Sequence, residues 1–214
     1  MPSLKTIRQE VAKTIRRLYE IGYVLDHEGN VSVRTALADT YVITPSQVPR
    51  YMIRASDILI VNGNGDVIDG KRNPSVETGM HLRVYSARPE VSSIIHFHSL
   101  HATALASLHE RIPPFLEELV PFLGSDIPTV EYAMAGTDEL ASNVASGLKD
   151  RNAVLLANHG AVVCGKDLAD AFHKALLLEK AATIYVLARS IGEPKRLPEA
   201  SVEIGRELFN AMLL

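Results

Sequence analysis

Apolar residues at Leu4, Ile7, Val11, Ile15 and Leu18 recur at helical spacing, with Ser3 placed to cap the start and Gly22 to stop the helix. The period then changes. In "NVSVR", Val31 and Val33 alternate with Asn30, Ser32 and Arg34, which predicts a half-buried strand. "TYVITP" predicts a second strand, stopped by Pro45. "ILIV", "NGNGD" and "VID" together predict a hairpin, because Asn-Gly supplies the positive φ of a tight turn. "SVETGMHLRVYSA" predicts a helix capped by Ser75. "SIIHFH" predicts a strand, "HATALASL" a short helix and "IPTVEY" another strand. "GTDELASNVASGL" predicts a helix capped by Thr137. "AVLLANHGAVVCG" is an apolar run broken at Asn158-His159-Gly160. "DLADAFHKALLLEKAATIYVLARSI" predicts a long helix ending at Gly192, and a final helix covers Ser201 to Leu213.

Strands and helices are interspersed, which defines an α/β or mixed α+β class, and the early hairpins require antiparallel pairs in a mixed sheet. No repeat, low-complexity tract or linker divides the 214 residues, so residues 1–214 are expected to form one domain. A chain of this length buries about 70% of its unfolded surface and needs no staple. Net charge is −3, with no cluster of Lys and Arg of the kind a nucleic-acid surface requires. Cys164 is the only cysteine, which excludes an internal disulfide and fits a reducing cytosol. The N-terminus lacks an apolar signal core and no run approaches the ~20 apolar residues of a membrane span, so a cytoplasmic location is expected.

The chemistry concentrates in "VSSIIHFHSL". Residues i and i+2 of a strand share a face, so His96 and His98 point the same way and Phe97 the other. Two imidazoles on one face make half of a zinc site; they also occur as an ordinary hydrogen-bonded pair. His159 is the candidate third ligand, because a histidine beside a glycine at a strand break can aim where the backbone turns. Three His ligands with one open position describe catalytic zinc, and there are no cysteines to close a structural shell. Glu77 falls in the first turn of a predicted helix. There it either complements the helix dipole or serves the site, and His81 lies at i+4 as an orienting or structural partner.

"EGNVSVR", "TPS", "NPSVETGMH", "HFHS" and "LLANHG" occur in the order and spacing of the class II aldolase/adducin head-domain family, which the chain resembles from about Val11 to Pro194. The resemblance implies a three-layer αβα fold around a mixed, largely antiparallel sheet, and a homotetramer with active sites at subunit interfaces. It implies His96, His98 and His159 as ligands of Zn2+, with Mn2+ or Co2+ as alternatives, and Glu77 as the acid/base. It further implies phosphate binding by Gly29, Asn30, Thr44, Ser46 and Ser75.

The expected reaction is reversible cleavage of a ketose 1-phosphate to dihydroxyacetone phosphate and an aldehyde, with Lewis-acid stabilisation of the enediolate. Epimerases of the family usually carry Asp where this chain has Glu77. The chain departs from the family's pattern at Gln47, where glycine is usual, and at Val76, where a second serine is usual. Glu117 falls at the position of a tyrosine lent to the neighbouring subunit, and no tyrosine follows Tyr185. These departures favour a rival reading, decarboxylation of a 3-oxo or aromatic hydroxy acid, so the small-molecule partner is a sugar phosphate or a keto acid. A third reading is a non-catalytic adducin-like module, a lineage that lacks the metal histidines this chain keeps. His27, His101, His109 and His173 are expected to be packing or surface residues, and Arg34 a solvent-side strand residue.

Overall fold

Ser3 Oγ accepts from Thr6 N at 3.2 Å and opens helix α1 (Leu4–Glu20), whose buried stripe is Val11, Ala12, Ile15 and Leu18. The computed structural model describes residues 2–213. Strands β1 (Asn30–Arg34), β2 (Tyr41–Ile43), β3 (Leu59–Val61) and β4 (Val67–Asp69) follow as a meander. Asn62 Oδ1 closes the β3–β4 turn by accepting from Asn64 N and Asp66 N, both at 2.9 Å. Gly65 supplies a positive φ of 86° there.

Next come α2 (Thr78–Ala87), β5 (Ser93–Phe97), α3 (Leu100–Ser107), α4 (Leu119–Leu123), β6 (Thr129–Val130) and α5 (Asp138–Gly147). The chain closes with β7 (Ala153–Leu156), β8 (Gly160–Gly165), α6 (Leu168–Ile191) and α7 (Glu199–Leu213). Among the described residues the sheet runs β4-β3-β2-β1-β5-β8-β7-β6, and only the β6–β7 pair is parallel. This is the mixed, largely antiparallel sheet the sequence predicts.

The period-2 alternation of the strands separates two apolar layers. Val31, Ile95, Phe97, Leu155 and Val163 pack with α1, α3 and α6. Ile94, Val154, Leu156, Val162 and Cys164 pack with α2 and α5. Helices therefore cover both faces, and β5 lies between β1 and β8 with every residue buried.

Three expectations shift. The 127–132 strand contracts to Thr129–Val130, and Leu119–Leu123 forms a short helix that apolar spacing did not announce. Helix α2 begins at Thr78 instead of near Ser75, because the Ser75 carbonyl closes a preceding turn, accepting from Thr78 N at 3.0 Å and Thr78 Oγ1 at 2.7 Å. Arg34 is a half-buried residue and not a solvent-side one: its guanidinium lies over the Tyr85 ring, 5.0 Å from the centroid, and donates to the Tyr85 and Arg88 carbonyls. No helix is long and apolar enough to cross a membrane among the described residues.

Candidate active site

His96 lies on the α2/α5 face of β5, the face opposite Ile95 and Phe97. His98 follows just past the strand, with its N–H held by the Tyr23 carbonyl at 2.8 Å. His159 arrives from the turn between β7 and β8, where Asn158 takes a left-handed φ of 57°. His109 Nε2 lies 2.7 Å from Asn158 Oδ1 and braces that turn. Gly160 is required for close approach: a Cβ there would meet His98 Cδ2 and the Phe97 carbonyl, both at 2.6 Å. The break in the apolar run therefore brings His159 against the β5 histidines across 61 residues of sequence.

One nitrogen from each of His96, His98 and His159 lies within 4.8 Å of the other two. His98 Nε2 and His96 Nε2 are 2.9 Å apart. Burial, then His159 nearby, pushes His96 down to about 3, and burial followed by the other two histidines pushes His98 down to about 4. Both are neutral at pH 7, with lone pairs available. His96 Nδ1 lies 3.0 Å from the Ala161 carbonyl, a bond that fixes the proton on Nδ1 and leaves Nε2 bare toward the cluster.

Glu77 is nearly buried at 5% exposure and sits at the N-cap of α2 without making a cap hydrogen bond. It is thus not in the first helical turn and does not serve as a side-chain cap. Its Oε2 lies 3.3 Å from His96 Nε2 and its Oε1 3.7 Å from His159 Nε2. Oε1 is buried without a hydrogen-bond partner. A buried carboxylate oxygen without a partner is costly unless charge or a donor is supplied there. Three imidazoles, no cysteine among them and one orphaned carboxylate oxygen fit a divalent cation with an open coordination position.

Of the sequence-predicted anion residues, Asn30 bridges Ser75 to Glu77 and Gly29 lies against the His96 carbonyl. Asn30 Nδ2 donates to Ser75 Oγ at 3.1 Å and to Glu77 Oε2 at 2.8 Å. Thr44 Oγ1 accepts from Val31 N at 3.1 Å, and Ser46 Oγ donates to the Asn73 carbonyl at 3.3 Å. Gly29 has φ +64°, and a Cβ on it would meet Val24 Cγ1 at 2.5 Å and the His96 carbonyl at 2.7 Å. Gln47 has a left-handed backbone, with φ 54°. Val76 is exposed, and so is Glu117.

Sequence reasoning missed Arg50. It is 2% exposed and places its donors on the carbonyls of His27, Glu28, Gly29, Pro45 and Val48 at 2.7–3.3 Å. Burial lowers it to about 10, so it stays charged at pH 7. An arginine in a turn carries no periodic signal. Sequence reasoning also gave His101 an ordinary role. In the structure His101 N, His101 Nδ1 and Ala102 N all meet the buried Glu179 carboxylate at 2.9–3.0 Å, and this carboxylate caps α3 where Ser99 does not. His173 packs edge-on against Phe122, as an ordinary packing residue would.

Together these features define a three-layer α/β protein with a candidate catalytic metal centre at the edge of its central strand. The chain belongs to the class II aldolase and adducin N-terminal domain family, whose model matches residues 9–186. It is 36% identical over 200 residues to the 5-deoxy-D-ribulose 1-phosphate aldolase of Bacillus thuringiensis serovar kurstaki, covering 94% of this chain and 93% of that one. It is 37% identical over 187 residues to the L-fuculose phosphate aldolase of Haemophilus influenzae, covering 87% and 85%. A solved L-fuculose 1-phosphate aldolase superposes with a TM-score of 0.92 at 38% identity, covering 98% of both chains.

Proposed function

We propose that residues 1–214 form one domain that cleaves a ketose 1-phosphate reversibly into dihydroxyacetone phosphate and an aldehyde. The observation that carries this reading is the meeting of three imidazoles with the orphaned Glu77 Oε1. The relatives' names, sugar phosphate aldolases and in two cases 1-phosphate aldolases, support the substrate class.

His96, His98 and His159 would hold a divalent cation, Zn2+ by donor type, with Mn2+ or Co2+ as alternatives. When bound, that ion supplies Lewis-acid stabilisation of the negative charge left on the ketone fragment. Cleavage needs a proton taken from the hydroxyl of the future aldehyde and one returned to carbon. Glu77 is the group placed to carry it, since its carboxylate is dry and within 4 Å of two of the imidazoles. Asn30 holds the Glu77 oxygen that does not face His159. Gly29, Asn30, Thr44, Ser46 and Ser75 form the phosphate cradle, pinned from below by Arg50. The protein is further proposed to work in the cytoplasm as a homotetramer whose sites lie at subunit interfaces.

A second reading is decarboxylation of a 3-oxo or aromatic hydroxy acid. The exposed Val76 favours it, because an apolar side chain stands where a further hydroxyl would serve phosphate. One experiment separates the two. Metal-loaded protein is incubated with ketose 1-phosphates and, in parallel, with 3-oxo and aromatic hydroxy acids, and dihydroxyacetone phosphate and CO2 are measured. Dihydroxyacetone phosphate release supports the aldolase, and CO2 release without it refutes the aldolase.

A further inference from the structure

Behind Glu77 a buried line of polar side chains runs from Asn30 to His81, Ser32 and Tyr85, each 2% exposed or less, and the last three have no part in the reaction as described. Their spacing fixes the direction of every hydrogen bond. The Glu77 carboxylate can only accept, so the Asn30 amide nitrogen faces it at 2.8 Å, and the second amide hydrogen goes to Ser75 Oγ at 3.1 Å. Asn30 Oδ1 is left facing His81 Nε2 at 2.5 Å, so Nε2 must carry a hydrogen. His81 Nδ1 is then bare and accepts from Ser32 Oγ at 2.6 Å, whose oxygen accepts from the Tyr85 hydroxyl at 2.8 Å. Turning the Asn30 amide over would set its oxygen against a carboxylate and its hydrogens against the Nε2–H. The chain of bonds therefore has one polarity, which the carboxylate demands at one end and the Nε2–H of the histidine matches at the other.

We propose that His81, held as the Nε2–H tautomer, is a positioning residue: it locks the Asn30 amide in the orientation that aims Glu77 at the imidazole cluster. The inference rests on the reading of Glu77 as the proton carrier. His81 touches no substrate. It acts through Asn30, whose amide oxygen it holds from the side away from Glu77. A carboxylate mis-aimed by about 1 Å costs a proton-transfer step about 10²-fold.

The test uses the metal-loaded full chain and two readouts. Nitrogen NMR on 15N-histidine-labelled protein reads the tautomer without any substrate; hydrogen on Nε2 is expected. His81→Gln can put an amide nitrogen near the Nε2 position, whereas His81→Asn reaches only the Nδ1 side and His81→Leu has no donor. Turnover of the Gln variant is expected within about tenfold of the unmodified protein. The Asn and Leu variants are expected to lose about 10²-fold in kcat, with metal content nearly unchanged. Hydrogen on Nδ1, an imidazolium, or Asn and Leu variants as active as Gln would overturn the proposal. Glu77→Gln, run alongside, separates the two ideas. If it is fully active, the proton-carrier reading fails. If it is inactive while all three His81 variants are active, the positioning role fails instead.

Discussion

Arg50 Nη2 donates to the carbonyl of Gly29 at 2.7 Å, and Gly29 in turn lies where a single added carbon would strike the carbonyl of His96 at 2.7 Å. A buried cation is thus two contacts away from the strand that carries the first imidazole. It meets five carbonyls and no carboxylate, and it joins the turn at 27–29 to the turn at 45–48.

Removing that guanidinium strands several buried carbonyls at once. Arg50→Met is expected to cost about 3 kcal/mol or more, since each orphaned acceptor carries a penalty of about 1–3 kcal/mol and the carbonyls can relax only in part. Arg50→Lys, with three donors, is expected to fall between the two. Urea unfolding followed by circular dichroism measures both, and a midpoint unchanged in Arg50→Met would show that the turns stand without it.

The histidine cluster predicts one metal ion per chain. His96→Ala, His98→Ala and His159→Ala should each lose most of it on gel filtration, measured by plasma emission spectrometry, while circular dichroism stays native. A variant that keeps its full metal content takes its histidine out of the ligand set.

Buried neutral histidines also make a pH prediction. His81 and His96 titrate near 3 and His98 near 4 in the folded chain, all pushed below the usual value chiefly by burial. The unfolded chain takes up protons near pH 6.5, protons the fold refuses. Stability is therefore complete above about pH 6.5 and falls as pH drops toward about 4, by up to about 1.4 kcal/mol per unit for each histidine. Urea midpoints of chelator-treated protein at several pH values in this window should fall steadily. A flat profile would mean that these imidazoles accept protons in the fold.

Gln47 stores strain. Its left-handed backbone costs a residue with a side chain about 1–2 kcal/mol, and the added freedom of an unfolded glycine returns about 0.4–1 kcal/mol of that. Gln47→Gly should therefore stabilise by about 0.5 kcal/mol and raise Tm by about 1–2 °C, readable by scanning calorimetry. A lower Tm would mean that the Gln47 side chain makes an interaction worth more than the strain.

The sequence announced what periodicity and pairing can announce. His96 sits on a strand visible in "SIIHFH", with His98 just past its end, and the central sheet follows from such runs. Helix α1 and its Ser3 cap were legible for the same reason. Glu77 was legible as a residue but not as a position: the turn before α2 is set by the Ser75 carbonyl, which tertiary contacts with β1 decide. Arg50 and Glu179 were invisible because most of their partners are backbone groups, several of them distant in sequence, and neither residue breaks a pattern. Strand β6 was overread because an apolar run can pack at an edge without pairing along its length.

Strand β5 is central, yet its neighbours are made far apart in time. Asn30, Glu77, His96 and His98 leave the ribosome well before His159, and β8, which pairs with β5, is complete only at Gly165. At typical synthesis rates of about 5–20 residues per second, the first two imidazoles wait several seconds for the third. A nascent chain can offer an ion only a two-histidine foothold until the last hairpin docks. Metal capture is thus tied to completion of the sheet, and an ion that binds the finished cluster stabilises only chains that have passed that point.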